Sequence, residues 1–278
     1  MTTHNNWIES NIRFRLCVPS ADYELYIRPY PFKEMAFQDA ADHTAKLIYE
    51  NHKNIYVSFS GGADSDFVVR CFHRNNIPFK AIIVRTSGNN EELSYAFKTC
   101  EELNIKPIIL ELSDRKYLEM YFEFVMKIIH GYGIYAVPGI FACQYAKRND
   151  GILITGEHLM EGEKADKSGS FTIRPASNEW DFYNEAFVGE EYNIPFFMYT
   201  IELIHAMTKA MHNRDLLSKF KSDLYGIEQR PIMTYKFSQE FEIVAERINM
   251  SRMKTADPNF ELGTKEEFLK LLEEKLVQ

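Results

Sequence analysis

Residues 55–70 read Ile55-Tyr56-Val57-Ser58-Phe59-Ser60-Gly61-Gly62-Ala63-Asp64-Ser65-Asp66-Phe67-Val68-Val69-Arg70. An apolar, β-branched and aromatic run leads into small and hydroxylated residues, and apolar residues then recur at helical spacing. The stretch therefore predicts a strand, a tight turn and a helix beginning near Asp66. Ser60, Gly61 and Gly62 let backbone N–H groups approach an anion, Ser65 can add a hydroxyl, and the helix would point its positive end at the turn. The pattern outlines a phosphate site. It is not a Walker A loop, because no Gly-Lys-Ser/Thr follows.

Working outward, short apolar strands alternate with helical segments: strand 55–59, helix from 66, strand 80–86, helix 90–104, strand 106–111, helix 115–130, helix 138–149 and strand 151–155. In the second helix Leu93, Ala96, Phe97, Cys100 and Leu103 share a face at three- and four-residue spacing. This rhythm predicts an α/β fold with a doubly wound, mostly parallel sheet. Ligands of such sheets sit beyond the carboxyl ends of the strands. Ser60, the Val84-Arg85-Thr86 segment and Thr155-Gly156-Glu157 all fall at such ends.

Upstream, Asn11 to Val18 and Tyr23 to Tyr30 alternate around Pro19-Ser20-Ala21-Asp22 and predict a β-hairpin, followed by a helix over about 34–50. Downstream, residues 157–170 are rich in Glu, Lys, Gly and Ser and read as an active-site loop. From Pro195 the chain reads as helices over 196–212, 214–225, 238–249 and 264–276. The expected organisation is a hairpin and helix over 1–50, a nucleotide-binding α/β domain over 51–195 and a helical lobe over 196–278 that completes the site.

With 278 residues, 45% of them hydrophobic, the chain can bury a sizeable core. A formal charge of -8 and no Lys/Arg run argue against a broad nucleic-acid surface. No stretch reaches the roughly 20 apolar residues of a membrane span, and the first ten residues lack the apolar core of a signal peptide, so a cytoplasmic protein is expected. Cys17, Cys71, Cys100 and Cys143 are far apart with no Cys-x-x-Cys pair. Neither a disulfide framework nor a zinc site is expected, and the three in apolar-periodic stretches read as buried, inert thiols.

Ser60-Gly61-Gly62-Ala63-Asp64-Ser65 resembles the SGGxDS loop of the ATP pyrophosphatases, the PP-loop superfamily. That resemblance implies binding of ATP with magnesium, an adenylated intermediate and release of pyrophosphate. Three later segments are similar, in order, to the synthetase domain of asparagine synthetases: Ile152 to Glu161, Ile194 to Leu203 and Arg230 to Phe237. The likeness spans about residues 50–240. Two features depart from that family. Thr2 stands where its glutamine-hydrolysing members carry a cysteine, so the chain is not expected to hydrolyse glutamine, and Met160 replaces an acid before the final Glu of the second motif.

Ser60, Gly61, Gly62, Ala63 and Ser65 are thus expected to cradle phosphates, with Val84, Arg85, Thr86 and Gly156 contacting the rest of the nucleotide. Asp64 is the expected magnesium ligand, since that cation prefers oxygen, with a helix-capping carboxylate as the plain alternative. Glu161 is the expected second metal-side carboxylate, although Glu157 and Glu163 are also open for that place. Glu157 is read as a metal ligand, general base or acceptor for a substrate amine. The resemblance implies that Lys236 neutralises the reacting phosphorus or the leaving pyrophosphate, and Arg230 reads as a phosphate clamp.

The expected activity is that of an adenylating ligase, converting ATP to AMP and pyrophosphate to activate a carboxylate or carbonyl-type oxygen for attack by a nitrogen nucleophile. Its partners would be a small-molecule substrate and ammonia or an amine donor, the latter from a separate protein; a homodimer is left open. Two alternatives stand beside it. One is amine or sulfur insertion into a tRNA nucleobase, and the other is an ATP-binding sensor without turnover.

Overall fold

The computed structural model describes residues 8–10, 25–27, 32–121, 136–156, 160–163, 172–175, 193–211 and 217–228. After an antiparallel pair, β1 (Ile8–Ser10) with β2 (Leu25–Ile27), come α1 (Phe37–Asn51), β3 (Ile55–Ser58), α2 (Ala63–Arg74), β4 (Lys80–Arg85), α3 (Asn90–Glu102) and β5 (Ile108–Glu111). Next are α4 (Asp114–Met120), α5 (Ala136–Arg148), β6 (Ile152–Thr155), β7 (Met160–Glu163) and β8 (Thr172–Pro175). The described chain closes with β9 (Asn193–Pro195), a 3-10 turn at Phe196–Met198, α6 (Ile201–Met211) and α7 (Leu217–Tyr225).

Five strands form one sheet in the order β5-β4-β3-β6-β9, and every pairing is parallel. Alternate side chains of a strand leave on opposite faces. Ile55, Val57, Ala81, Ile83, Ile152, Ile154 and Ile194 enter one core, packed with α1, α2, α3 and α6. The intervening positions meet α5, where Tyr56 sets its ring edge-on to Tyr145 at 6.0 Å. Both faces of the central strands are covered, which is why β3, β6 and the middle of β4 are apolar, whereas the edge strand β5 leaves Ile109 exposed; the fold is the doubly wound α/β class. Phe67 of α2 is fully buried and lies 5.2 Å from Phe37, 5.7 Å from Phe197 and 4.6 Å from Tyr225, ring centre to ring centre. It joins elements from before, within and after the sheet.

Four helix-to-strand returns at the amino ends of the strands share one device. Asn54, Asn76, Asn104 and Asp150 adopt left-handed backbone, with φ of 52, 54, 53 and 50°. Asn and Asp tolerate that region better than other side chains, so each return reverses in a few residues.

Several expectations are corrected. The strand pair joins Ile8–Ser10 to Leu25–Ile27, so the first partner lies before the alternating stretch 11–18, which is outside the described residues. Helix α2 starts at Ala63, ahead of Asp66, because Gly62 in extended backbone serves as its N-cap. The polar stretch read as a loop over 157–170 contains β7, paired antiparallel with β8 so that Glu161 opposes Arg174. Met-Glu-Gly-Glu carries no apolar alternation to announce a strand. The helix expected over 196–212 begins only at Ile201, after β9 and the 3-10 turn. Three residues ending in proline suit only a sheet edge and are too short for periodicity to reveal. The expected helices 238–249 and 264–276 lie outside the described residues.

Candidate functional site

From β3 the chain steps to β4 and β5 on one side, then returns to place β6 against the other side of β3. The connections leaving β3 and β6 therefore diverge, opening a crevice at their carboxyl ends, the usual ligand position in such sheets. The Ser60–Ser65 turn follows β3, and Gly156 follows β6.

Gly61 takes φ 95°, a backbone that side chains rarely adopt, and a Cβ there would stand 2.3 Å from the carbonyl oxygen of Glu92. The turn is thus pressed onto the start of α3, as only glycine allows. Gly156 is needed for a different reason: a Cβ would meet the Ser65 backbone nitrogen at 2.8 Å, so the end of β6 lies directly against the first turn of α2.

No side chain caps α2, although Asp64 and Ser65 lie in its first turn. Instead the hydroxyls brace the turn internally. Gly62 N–H donates to Ser60 Oγ at 3.3 Å, Ser65 Oγ–H donates to the Gly62 carbonyl at 3.0 Å, and the two hydroxyl oxygens are 3.2 Å apart. A helix amino end left without a side-chain cap, ringed by glycine backbone and hydroxyls, offers its positive end to an anion.

Asp64 points the other way. Lys221 Nζ donates to its Oδ2 at 2.8 Å, and the Tyr225 hydroxyl donates to its Oδ1 at 2.7 Å. The ammonium and carboxylate are 15% and 26% exposed, so the pair is withdrawn from water but within reach of the loop surface. Burial, and then the Asp64 charge beside it, push the Tyr225 phenol well above its ordinary range, so it stays a donor. Lys221 and Tyr225 sit four residues apart on one face of α7, so a single helix delivers both to the loop.

Glu92, in the first turn of α3, lies behind the turn. Its Oε1 is 3.5 Å from the place of a Cβ on Gly62, beside the Ser60 Oγ at 3.4 Å from the same place. Burial raises its pKa to about 7, against a smaller lowering by the Ser60 hydroxyl.

Ser60, Gly61, Gly62, Ala63, Asp64, Ser65 and Gly156 are brought together at the crevice. The segment after β4 is engaged within itself. Asn89, buried, donates to the Val84 carbonyl at 2.8 Å and accepts from the Thr86 N–H at 2.9 Å. Arg85 pairs with Glu111 at 2.8 Å and lies 5.5 Å over the Phe97 ring. Glu157, Arg230 and Lys236 lie outside the described residues, as does the side chain of Glu161. Lys221, Tyr225, Glu92 and Asn89 escaped the sequence reading. The four-residue spacing on α7 was visible, but nothing in it says which loop that face meets.

Among the described residues no group of three or more His, Cys, Asp or Glu is placed to hold a metal. Asp64, the expected magnesium ligand, has both carboxylate oxygens engaged by α7, so a magnesium ion arriving with a nucleotide would have to take one of them from Lys221 or Tyr225. Among the described residues Cys71, Cys100 and Cys143 are buried thiols in no disulfide, and burial pushes Cys71 up to about 12 and Cys100 up to about 11, while Cys17 lies outside the described residues.

No protein-family model and no curated protein matches the chain. Among solved structures it is similar to an NH3-dependent NAD synthetase from Campylobacter jejuni, with a TM-score of 0.37 and 16% identity over 87% of this chain and 94% of that one. An NMN synthetase from Francisella tularensis aligns with a TM-score of 0.37 and 12% identity, over 84% of this chain and 100% of that one. A glutamine-dependent NAD+ synthetase from Acinetobacter baumannii, solved with ADP, aligns with a TM-score of 0.37 and 8% identity, over 91% of this chain and 46% of that one. Likenesses this distant say nothing of the site's chemistry, which rests on the chain's own residues.

Proposed function

We propose that the chain is a PP-loop adenylating ligase: it holds ATP by its phosphates on the Ser60–Ser65 turn and transfers AMP to a carboxylate or carbonyl-type oxygen of a small substrate. Pyrophosphate leaves, and a nitrogen nucleophile then displaces AMP. The observation that carries this reading is the α2 amino end, uncapped by any side chain and built into a glycine and hydroxyl cradle at the divergence of β3 and β6.

In this reading Gly61, Gly62 and the first turn of α2 hold the phosphate oxygens, and Ser65 fixes the turn through the Gly62 carbonyl. Lys221 supplies the cation for the negative charge that gathers on departing pyrophosphate, a role the sequence reading gave to Lys236 and Arg230. Asp64 holds that ammonium in place until the nucleotide arrives, and Asp64 with Glu161 would hold magnesium, which supplies further neutralisation of the leaving group. The withdrawn thiols weigh against sulfur insertion into a nucleobase.

The deciding experiment follows ATP turnover in the presence of panels of carboxylates and amines, with products resolved. AMP and pyrophosphate are expected, and Lys221→Met is expected to lower their rate by about 10²–10³-fold. ADP and phosphate as products would overturn the reading. One observation favours a second reading, an ATP-binding sensor: both Asp64 oxygens are engaged by α7. ATP binding that persists without pyrophosphate release under any substrate supplied would select it.

A further inference from the structure

Lys221 and Tyr225 both donate to Asp64, but they are held in place to very different degrees. Tyr225 is buried, and its ring stacks on Phe197 at 5.6 Å and on Phe37 at 5.8 Å, with Phe67 at 4.6 Å. Phe67 follows Asp64 by three residues on α2, so one face of α2 presents the carboxylate and the ring together to Tyr225. The phenol can leave Oδ1 only by disturbing this aromatic core. Lys221 carries its charge on a flexible stem whose side chain is partly exposed.

Helix α7 is itself tied to two neighbours. Gln38 Nε2 of α1 donates to the Leu224 carbonyl at 3.1 Å, and Lys98 of α3 pairs at 2.9 Å with Glu228, just beyond the helix. The lysine stem can therefore swing off Oδ2 while the helix and its tyrosine stay where they are. The two bonds to Asp64 have different chemistry as well. A neutral phenol fixes one oxygen by donating its single hydrogen, whereas an ammonium occupies the other oxygen as a positive charge would. Magnesium demands near-octahedral geometry, which suits a carboxylate turned so that one defined oxygen is offered.

We propose that Tyr225 is a positioning residue for the metal: its hydroxyl fixes Asp64 by Oδ1 and offers Oδ2, while Lys221 is an exchangeable counter-ion that yields Oδ2 to magnesium and turns to the phosphate oxygens. This deepens the ligase reading, and it rests on Asp64 holding the metal beside the phosphate turn. Metal and phosphate binding are then coupled through one side chain, since Lys221 leaves Asp64 most readily when a cation replaces it there and an anion receives it.

The test is calorimetric titration of wild type, Tyr225→Phe and Lys221→Met with inorganic pyrophosphate, once in EDTA and once in excess magnesium. The readout is the tightening that magnesium brings, the ratio of the two dissociation constants for each protein. Association of magnesium with pyrophosphate in solution is common to all three and cancels when the ratios are compared. Tyr225→Phe keeps the ring and removes only the hydroxyl, and it is expected to cut the ratio by about tenfold, as loss of a hydrogen-bond partner from a metal ligand does. A hydroxyl that served packing alone would leave the ratio where it is. Lys221→Met removes the competitor at Oδ2 and is expected to raise the ratio by about threefold. An unchanged ratio in Tyr225→Phe overturns the positioning role, and a ratio in Lys221→Met no higher than in wild type overturns the exchange. Wild-type binding that magnesium does not tighten overturns the inference and leaves the phosphate turn standing. Failure of wild type to bind pyrophosphate under both conditions overturns the turn and the inference together. Should Tyr225→Phe not fold, the Lys221→Met ratio still decides, and a value no higher than in wild type sinks the proposal.

Discussion

At the scale of single residues the site is built from groups held away from their ordinary states. Glu92 sits where its folded pKa, about 7, exceeds the carboxylate value of the unfolded chain. The folded state therefore holds the extra proton between roughly pH 4.5 and 7, and ionisation there works against folding. The penalty is absent below the unfolded value, grows through that window and is complete above about pH 7. Glu92→Gln should consequently leave stability nearly unchanged at pH 3.5 and raise it by about 3 kcal/mol at pH 8, measured by urea unfolding at each pH. Equal effects at both pH values would contradict the burial argument. Residues of this kind divide sharply in their legibility. Ser60, Gly61, Gly62 and Ser65 announce themselves by composition and order, because the backbone they need permits few alternatives. Glu92, Lys221 and Tyr225 do not, since an acid in a helix's first turn and a Lys with a Tyr four residues on occur on countless solvated helices. Only their distance from the turn distinguishes them, and distance is a tertiary fact.

At the scale of elements, two glycines separate packing from backbone strain. Gly156 has no positive φ, but a Cβ there would press on Ser65 N at 2.8 Å and on the Asp64 carbonyl carbon at 2.9 Å. Both contacts are backbone, so the added methyl must push β6 and the first turn of α2 apart. Gly226, past the end of α7, has φ 67° and nothing within 4 Å of an added Cβ. Gly226→Ala should lower stability by about 1 kcal/mol through its backbone alone and leave ATP binding intact. Gly156→Ala should weaken ATP binding at least tenfold for a stability loss of about 1–3 kcal/mol, as calorimetry and thermal unfolding would show. The central strands and α1, α2, α3 and α5 were legible because about three to four turns of apolar periodicity, or unbroken β-branched runs, leave one reading. The elements at the margins were not: β7 is too polar and β9 too short, and both exist because a partner strand accepts them.

At the scale of the molecule, the order of strands in the sheet has a kinetic meaning. β3, β4 and β5 pair with neighbours one helix away in the chain, whereas β6 must come back to β3, bringing Ile152 opposite Ile55 across the whole intervening segment. Closing so long a loop is slow compared with joining adjacent units. In pulse-labelled refolding, amides of β4 should gain protection before those of β6; simultaneous protection would show that the two sides form together. The crevice is bounded by β3 on one side and β6 on the other, and Gly156 seals it only when β6 has docked. If the Ser60–Ser65 turn is the anion site proposed above, it is completed only once β6 has docked beside β3, and a nascent chain that has emerged only as far as β5 would be folded in part yet blind to its ligand.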